Sequence, residues 1–248
     1  MDKSSLNVLV TGAGGGMCEG INARLAAAGH TVVCVDLDTE RSERAADAIT
    51  RSGGQATAFA ADITDEAVVE KLHDDVTRDV GPIHALVNAA GVLDRKYMDD
   101  STAESFRGAL DVNLVGPFNM IRAFSPAMKE AGWGRIVNIA SIAAITGYIY
   151  PSYAASKAGL ANLTRSLLED FRGTGITVNA VCPGVVDTPM VIQKVRDQVA
   201  RRVPTQAIIE PDEVGALVCF LLSHDARSIN GAEMVIDGGA TQLFRLFD

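Results

Sequence analysis

The chain has 248 residues, of which 48% are hydrophobic and 21% are charged, a composition typical of one globular domain with a large core. The formal net charge of −9 at pH 7 argues against nucleic acid or an anionic membrane surface as a partner, because both would repel the chain. The N-terminus is short and polar, and no apolar run is long enough to cross a membrane, so we expect a cytoplasmic protein without a signal peptide.

Short runs rich in β-branched residues alternate with longer helix-forming runs along the whole chain. In chain order, the predicted elements are strand 6–10, helix 16–29, strand 31–36, helix 40–51, strand 55–60, helix 65–79, strand 83–88, helices 102–110 and 112–131, strand 135–140, helix 153–171, strand 176–181, helix 212–223 and strand 233–236. This alternation predicts right-handed crossovers and a parallel sheet covered on both faces. No linker, repeat or low-complexity tract divides the sequence, so we predict a single domain over residues 1–248.

The four cysteines are widely spaced and lie in apolar stretches. The sequence contains no Cys-x-x-Cys pair and no Cys/His set with the spacing of metal ligands. Buried free thiols in a reducing compartment explain this pattern, and we predict no metal site.

Four glycines lie between the first predicted strand and the first predicted helix. Residues 11–18 read Thr-Gly-Ala-Gly-Gly-Gly-Met-Cys, and backbone amides at a glycine-rich helix N-terminus attract phosphate groups. Asp36 ends the second strand, where a carboxylate can accept hydrogen bonds from the adenosine ribose of a dinucleotide and would repel a 2′-phosphate. Two simpler interpretations stay open: a flexible turn without a ligand, and a helix cap at Asp36.

Residues 153–157 read Tyr-Ala-Ala-Ser-Lys at the start of a predicted helix. Positions i and i+4 share one helix face, so the phenol of Tyr153 and the ammonium of Lys157 would point into the same space. A nearby cation lowers the pKa of a phenol, which lets it exchange a proton with an alcohol or ketone near neutral pH. Ser141, directly after the strand at 135–140, offers a hydroxyl that could hold the same substrate oxygen. Taken alone, such a pair is also explained by a solvated helix face.

These motifs, in this order, make nearly the whole chain resemble the short-chain dehydrogenase/reductase family. Residues 11–18 resemble the family's Thr-Gly-x-x-x-Gly-x-Gly turn, with Cys18 in place of the last glycine. Residues 88–91, Asn-Ala-Ala-Gly, resemble its Asn-Asn-Ala-Gly motif, with Ala89 in place of the second Asn. The resemblance implies a Rossmann-like, doubly wound, mainly parallel sheet of seven strands with helices on both faces.

The resemblance also implies hydride transfer to or from the nicotinamide ring of a bound cofactor. The residues at the family's catalytic positions are Asn113, Ser141, Tyr153 and Lys157. In the implied mechanism, Ser141 orients the substrate oxygen and Tyr153 exchanges its proton. Lys157 holds the nicotinamide ribose and depresses the Tyr153 pKa, and Asn113 supports a water that links Lys157 to bulk solvent.

The cofactor expected from the resemblance is NAD (NADH). The residues implied to bind it are Gly12, Gly14, Gly15, Gly16, Met17, Asp36, Leu37, Asp62, Ile63, Asn88, Ala89, Gly91, Tyr153, Lys157, Pro183, Gly184, Val186 and Thr188. Family members that use NADP(H) often carry a base at the positions of Gly15 and Leu37. This chain has none there, although Arg41 lies nearby in the sequence.

The implied substrate pocket lies at the carboxyl ends of the strands, and its candidate walls are almost all apolar. They are Leu93, Ala143, Ala144, Ile145, Tyr148, Ile149, Val185, Met190 and Val191. The segment at about 186–209 resembles a mobile lid, whose basic residues either form the outer side of a helix or recognise an anion. The preferred interpretation is a dehydrogenase for a small, mostly apolar secondary alcohol or ketone.

Two other functions stay open. The first is a 3-oxoacyl reductase for carrier-protein or coenzyme A thioesters. Such enzymes usually use NADPH and often carry basic residues at the positions of Gly15 and Thr174. The second is a non-catalytic NAD-binding regulatory protein, against which the intact Ser141, Tyr153 and Lys157 argue. Many family members are tetramers, which predicts a homotetramer, and the apolar tail at 243–247 would suit a contact between subunits.

Overall fold

The structure is a computed structural model that describes residues 5–189 and 191–243. Over these residues the strands are β1 (Asn7–Thr11), β2 (Thr31–Asp36), β3 (Gln55–Ala60), β4 (Ala85–Asn88), β5 (Gly134–Ile139), β6 (Ile176–Pro183) and β7 (Glu233–Ile236). All neighbouring strands pair in parallel, and the sheet order is β3-β2-β1-β4-β5-β6-β7. The predicted Rossmann-like, doubly wound sheet of seven strands is confirmed.

Helices cover both faces of this sheet. In the described part of the chain they are α1 (Gly16–Ala27), α2 (Thr39–Arg51), α3 (Glu66–Asp79), α4 (Ala103–Leu110), α5 (Gly116–Glu130), α6 (Pro151–Ser166), α7 (Gln193–Arg202) and α8 (Pro211–Leu222). A π-helical turn spans Asp111–Val115, and 3-10 turns span Met98–Asp100 and Ile142–Ala144. Of the helices described, none is long and apolar enough to cross a membrane.

The core consists of two main layers, one on each face of the sheet. In β1, Val8 and Val10 pack with apolar residues of α1 and α8, whereas Leu9 packs on the opposite face with residues of α3 and α5. Successive side chains of a strand point to opposite faces, so a strand buried on both sides is a continuous apolar run. All three of these β1 side chains are fully buried. This burial explains why continuous apolar runs in the sequence predicted the strands.

The strand order reverses at β1, which pairs with β2 on one side and with β4 on the other. In parallel α/β sheets a crevice opens at such a reversal, beyond the carboxyl ends of the strands. Thr11 and Asn88 end β1 and β4 and are paired in register. The segments that follow them therefore form the two sides of this crevice.

Helices α1 and α8 approach each other through two glycines. A Cβ at Gly20 would lie 2.1 Å from the carbonyl carbon of Pro211, and a Cβ at Gly215 would lie 2.4 Å from the carbonyl oxygen of Gly20. Both distances are far below van der Waals contact. The close approach therefore depends on the absence of side chains at these positions. It holds the N-terminal part of α1 next to the glycine turn.

Several element boundaries differ from the sequence-based prediction, and three of the elements concerned carry predicted site residues. The helix predicted at 153–171 begins at Pro151 and ends at Ser166, and the chain continues to Phe171 in turns that keep its apolar side chains on the core. The helix predicted at 112–131 begins with the π-helical turn and becomes α-helical at Gly116. Strand β6 continues two residues beyond its predicted end, to Pro183.

Candidate active site

The glycine turn between β1 and α1 packs directly on the segment that follows β4. Gly12 has a φ of +65°, and a Cβ there would lie 2.7 Å from the Cα of Ala90, so the position requires glycine. The Oγ1 atom of Thr11 accepts hydrogen bonds from the N–H groups of Ala89 and Ala90, both at 3.1 Å. These contacts hold the N-terminus of α1 at the crevice, where its backbone amides attract phosphate.

Asp36 lies at the rim of the same crevice and is buried. Its Oδ2 atom accepts a hydrogen bond from the N–H of Gly14 at 3.1 Å. The N-cap of α2 is Asp38, which accepts from the N–H of Arg41. Asp36 is therefore not the helix cap, and its carboxylate is bound to the glycine turn. The guanidinium of Arg41 lies 3.8 Å from the same Oδ2 atom, which places one positive charge beside this carboxylate.

A cleft of about 650 Å³ runs along the glycine turn and the ends of β2 and β4. The residues predicted to bind cofactor that line it are Gly12, Gly14, Gly15, Gly16, Met17, Asp36, Leu37, Asp62, Ile63, Ala89, Gly91 and Thr188. The sequence analysis missed Cys18, Glu19, Val35, Arg41, Ala61, Thr64, Ala90, Val92, Val112 and Pro189, which line it as well. Most of these adjoin a predicted residue in the sequence, and that adjacency is the signal that could have found them.

The other residues predicted to bind cofactor do not line this cleft. Asn88 is buried beneath it and donates to the Oδ1 atom of Asn138 at 2.8 Å. Pro183, Gly184 and Val186 belong to the backbone pairing at the end of β6, where the N–H of Gly184 donates to Ile236 and Val186 pairs with Ile209. Tyr153 and Lys157 lie beyond Gly91, on α6.

Tyr153 and Ser141 meet although they come from different elements. Ser141 follows β5, and its Oγ atom accepts a hydrogen bond from the N–H of Ala143 at 3.1 Å. Burial raises the pKa of Tyr153, a hydrogen bond from Ser141 lowers it, and the nearby phenol of Tyr148 raises it. The net direction is upward, whereas the sequence led us to expect a lowered pKa. Burial outweighs the hydrogen bond from Ser141, and the ammonium of Lys157 is engaged elsewhere.

Lys157 is buried on α6 beneath the tyrosine. Its Nζ atom donates to the carbonyl oxygen of Ile139 at 2.8 Å and lies 5.9 Å from the centroid of the Tyr153 ring. Burial lowers the pKa of Lys157 to about 8, because a charged amine loses its hydration there. A Cβ at Gly91 would lie 3.3 Å from Nζ. Glycine at that position therefore gives the ammonium access to the cleft.

Asn113 occupies the π-helical turn and is fully buried. Its Nδ2 atom donates to the Oγ of Ser156 at 2.9 Å and to the carbonyl oxygen of Val92 at 3.0 Å. Its Oδ1 atom accepts from the N–H of Val92 at 2.8 Å. Asn113 thus ties the segment after β4 to α6, one residue before Lys157. No sequence pattern indicated the role of Ser156.

The predicted substrate walls fall into three groups. Ile145, Tyr148 and Ile149 are exposed, and Leu93, Ala144, Val185 and Val191 are half-buried. Ala143 is 2% exposed, because it lies under Ser141, which its N–H group holds in place. Met190 lies outside the described residues.

The predicted lid leaves the sheet and returns at one point. The N–H of Asp187 donates to the carbonyl oxygen of Ile209 at 2.7 Å, and Val186 forms a parallel bridge with the same residue. Between these ends lies α7. Arg196 of α7 forms an ion pair with Asp187 at 2.6 Å, so its charge is already neutralised within the segment.

Cys18 occupies the position of the family's last glycine. It is 2% exposed and packs in the core cluster between α1 and the sheet. Burial, followed by the charges of Asp36 and Cys34, raises its pKa to about 12. A thiol with that pKa is protonated at physiological pH and therefore unreactive.

A family model described as enoyl-(acyl carrier protein) reductase matches residues 12–241 of the chain. The D-threitol dehydrogenase of Mycolicibacterium smegmatis is 36% identical over 94% of this chain and 92% of its own length. The cyclohexanol dehydrogenase of an Acinetobacter strain is 33% identical over 94% of both chains. The acetoacetyl-CoA reductase of Allochromatium vinosum is 32% identical over 93% of this chain and 96% of its own.

Solved structures match the fold over nearly the same length. A gluconate 5-dehydrogenase from Burkholderia cenocepacia, in complex with NADP and tartrate, has a TM-score of 0.91 and 28% identity, covering 98% of this chain and 97% of its own. A 3-oxoacyl-[acyl-carrier protein] reductase from Brucella melitensis with bound NAD has a TM-score of 0.89 and 30% identity, covering 96% and 92%. Similar structures thus hold either form of the dinucleotide.

Proposed function

Because the chain belongs to the short-chain dehydrogenase/reductase family, we propose that it transfers a hydride between NAD(H) and a small, mostly apolar secondary alcohol or ketone. The chain is an NAD(P)-dependent oxidoreductase, and relatives with full-length similarity are named alcohol and diol dehydrogenases. The observation that carries the proposal is the hydrogen bond between Ser141 and Tyr153 beside the buried ammonium of Lys157.

The residues of the cleft suit a dinucleotide. The glycine turn offers backbone amides without side chains in front of them, and a Cβ at Gly16 would lie 2.8 Å from the ring of Pro189. Asp36 offers a carboxylate for ribose hydroxyls, and Ile63 offers an apolar surface for a base. When bound, NAD(H) supplies or accepts the hydride.

The polar residues beyond Gly91 carry out and support the proton transfer. In the reduction direction, Tyr153 gives its hydroxyl proton to the carbonyl oxygen of the substrate, and in the oxidation direction it removes the carbinol proton. Ser141 holds the same oxygen in place. Lys157 contributes positive charge beneath the phenol, and Asn113 fixes the backbone around it and supports a water chain toward solvent.

Tyr153→Phe tests this assignment. The ring still packs, but the proton donor is lost, so kcat should fall by about a hundredfold or more while the NADH dissociation constant changes by only a few-fold. The matched control is Tyr97→Phe, which removes the hydroxyl of the most exposed tyrosine and should retain kcat. More than about a tenth of the wild-type kcat in Tyr153→Phe would show that another group exchanges the proton.

The preferred cofactor in this proposal is NAD(H) rather than NADP(H). A carboxylate at Asp36 repels a 2′-phosphate, and we expect kcat/KM for NADH to exceed that for NADPH by about a hundredfold. Arg41 opposes this preference, because its guanidinium lies at the same carboxylate. Asp36→Ser should therefore shift the ratio toward NADPH. Asp38→Ser, an exposed change that preserves the helix cap, should leave the ratio unchanged, and equal values in the wild type would contradict the proposal.

A second candidate function is reduction of 3-oxoacyl thioesters. Two matches favour it, the acetoacetyl-CoA reductase and the 3-oxoacyl-[acyl-carrier protein] reductase. Burial, followed by the phenol of Tyr150, raises the pKa of Tyr148, and the charge of Arg95 partly opposes this rise. The exposed Arg95 therefore lies near Tyr148 and offers a positive charge for an anionic carrier. A kcat/KM for acetoacetyl-CoA more than tenfold above that for every neutral ketone would favour this function over the first.

The assembly and location of the protein are part of the same proposal. We propose a homotetramer, since the α5 face exposes Phe118 and Val115 and large exposed apolar side chains favour subunit contacts. We also propose that residues 186–209 form a lid over the substrate and that the protein is cytoplasmic. All four cysteines are free thiols, as suits a reducing compartment.

A further inference from the structure

All four tyrosines of the chain form one row of successive ring contacts near the start of α6. The ring of Tyr148 lies 5.7 Å from that of Tyr153 and 5.7 Å from that of Tyr150, and Tyr150 lies 5.5 Å from Tyr97. The row therefore runs from the proton-donating phenol outward to Tyr97, which is 54% exposed. These centroid separations lie within the range in which aromatic rings attract one another.

Two segments that are distant in sequence build this row. Tyr148 and Tyr150 immediately precede α6, and Tyr97 precedes the 3-10 turn after β4. Asp94 joins the two segments, because it accepts a hydrogen bond from the buried Ser152 of α6 at 3.4 Å and lies 3.9 Å from the ammonium of Lys96. The rings are thus held in place by the fold and are not loose surface side chains.

Part of the surface around the row is apolar, whereas Asp94, Arg95 and Lys96 place charges beside it. Ile145 and Ile149 are 40% and 57% exposed on the side of Tyr148, and Met98 is 76% exposed beside Tyr97. Burial of such side chains against an apolar partner is favourable, whereas burial of unpaired hydroxyl groups against them is not. The neighbourhood therefore suits an apolar ring better than a linear polyol.

We propose that Tyr148, Tyr150 and Tyr97 form a ring-binding subsite, and that the substrate is a secondary alcohol or ketone whose reacting carbon belongs to, or is attached to, an apolar six-membered ring. This inference rests on the proposed function. A substrate oxygen at the phenol of Tyr153 brings a directly attached ring to Tyr148, the next ring along the row. Substrates with a second ring extend outward toward Tyr150 and Tyr97.

The test compares cyclohexanol with 2-hexanol, two secondary alcohols with six carbons each, and includes threitol as a linear polyol. The wild type should prefer cyclohexanol in kcat/KM. Tyr148→Leu should lower the ratio of kcat/KM for cyclohexanol to that for 2-hexanol by about tenfold, mainly through KM, because it removes a stacking ring. Tyr148→Phe, which keeps the ring, should restore the ratio. Phe220→Leu, which removes an exposed ring from α8, is the matched control and should leave this ratio of kcat/KM values unchanged.

A second variant guards against misfolding of the first. Tyr97→Leu lies at the exposed end of the row and should lower kcat/KM for 4-phenylcyclohexanol by about threefold more than that for cyclohexanol. Turnover of 2-hexanol or threitol at least as efficient as that of cyclohexanol, or an equal loss for all alcohols in Tyr148→Leu, would overturn the subsite while leaving the proposed function standing. An absence of turnover with every alcohol and ketone would overturn both.

Discussion

At the scale of single residues, the candidate active site contains an amine that the fold removes from water. The buried Lys157 has one hydrogen bond from its ammonium to a backbone carbonyl oxygen, and its pKa is lowered to about 8. An unfolded lysine titrates near 10.4. The folded state therefore binds fewer protons than the unfolded chain between about pH 8 and pH 10.4, and stability rises with pH across that window.

Lys157→Met tests how much the burial of the Lys157 charge destabilises the folded protein. Below pH 8 the full penalty of a buried charge acts on the wild type, roughly 3 kcal/mol for a pKa shift of this size, so the variant should be more stable to urea at pH 7 despite losing activity. The advantage should shrink as the pH rises from 8 to 10.4. The matched control is Lys71→Met at an exposed position, where no burial cost exists. A variant less stable than the wild type at pH 7 would show that the contact with Ile139 outweighs the burial.

At the scale of elements, close helix approach depends on glycine. Gly20 of α1 lies against the backbone of Pro211, whereas a Cβ at the exposed Gly108 of α4 would have nothing within 4 Å. Gly20→Ala should therefore destabilise the protein by about 2 kcal/mol or more through overpacking. Gly108→Ala should be neutral or stabilise it by about 0.5–1 kcal/mol, since alanine favours the helix. Urea denaturation of both variants measures the contrast, and effects of the same sign would contradict it.

The elements also show what the sequence could predict. The bounds of β2, β3 and β7 were predicted correctly. The buried, β-branched run of β2 ends at the polar Asp36, whereas β3 and β7 are only partly buried and lie at the two edges of the sheet. The end of α6 was not predicted correctly, because Leu167, Leu168 and Phe171 continue to pack on the core after the α-helical hydrogen bonds stop. The spacing of hydrophobic residues indicates which side chains are buried. It does not indicate whether the backbone hydrogen bonds around them are α-helical. The π-helical turn around Asn113 escaped prediction for the same reason.

The row of tyrosines illustrates a second limit. The segments around Tyr97 and Tyr148 are about fifty residues apart in the sequence. No pattern within either segment predicts how the two lie relative to each other. Their contact is supported by the hydrogen bond between Asp94 and Ser152 and by Asn113, which joins Val92 to Ser156. By contrast, Ser141, Tyr153 and Lys157 were predicted through a motif whose spacing is fixed by the end of one strand and the face of one helix.

At the scale of the whole molecule, the sheet places the cleft next to the residues that are proposed to exchange the proton. The cleft for the dinucleotide lies at the reversal of the strand order, between the segments after β1 and β4. Ser141 follows β5, the next strand in the sheet, and α6 follows it in the chain. The segment after β4 belongs to both, because its Gly91 lines the cleft and adjoins Lys157. In the proposed function, the cofactor and the substrate oxygen thus meet at neighbouring strand ends.

The α5 face of the molecule gives the last prediction. Phe118 is 45% exposed and Val115 is 39% exposed on this face, and burial of such a surface in a subunit interface is favourable by about 25 cal/mol per Å². Phe118→Asp introduces a charge there, and if the proposed tetramer forms through this face we expect light scattering to show a smaller assembly than that of the wild type. The matched control is Ile192→Asp, an equal change at an exposed position next to α7, which should leave the mass of the assembly unchanged. A wild type that is monomeric at micromolar concentration, or a Phe118→Asp protein of unchanged mass, would show that this face is not the interface.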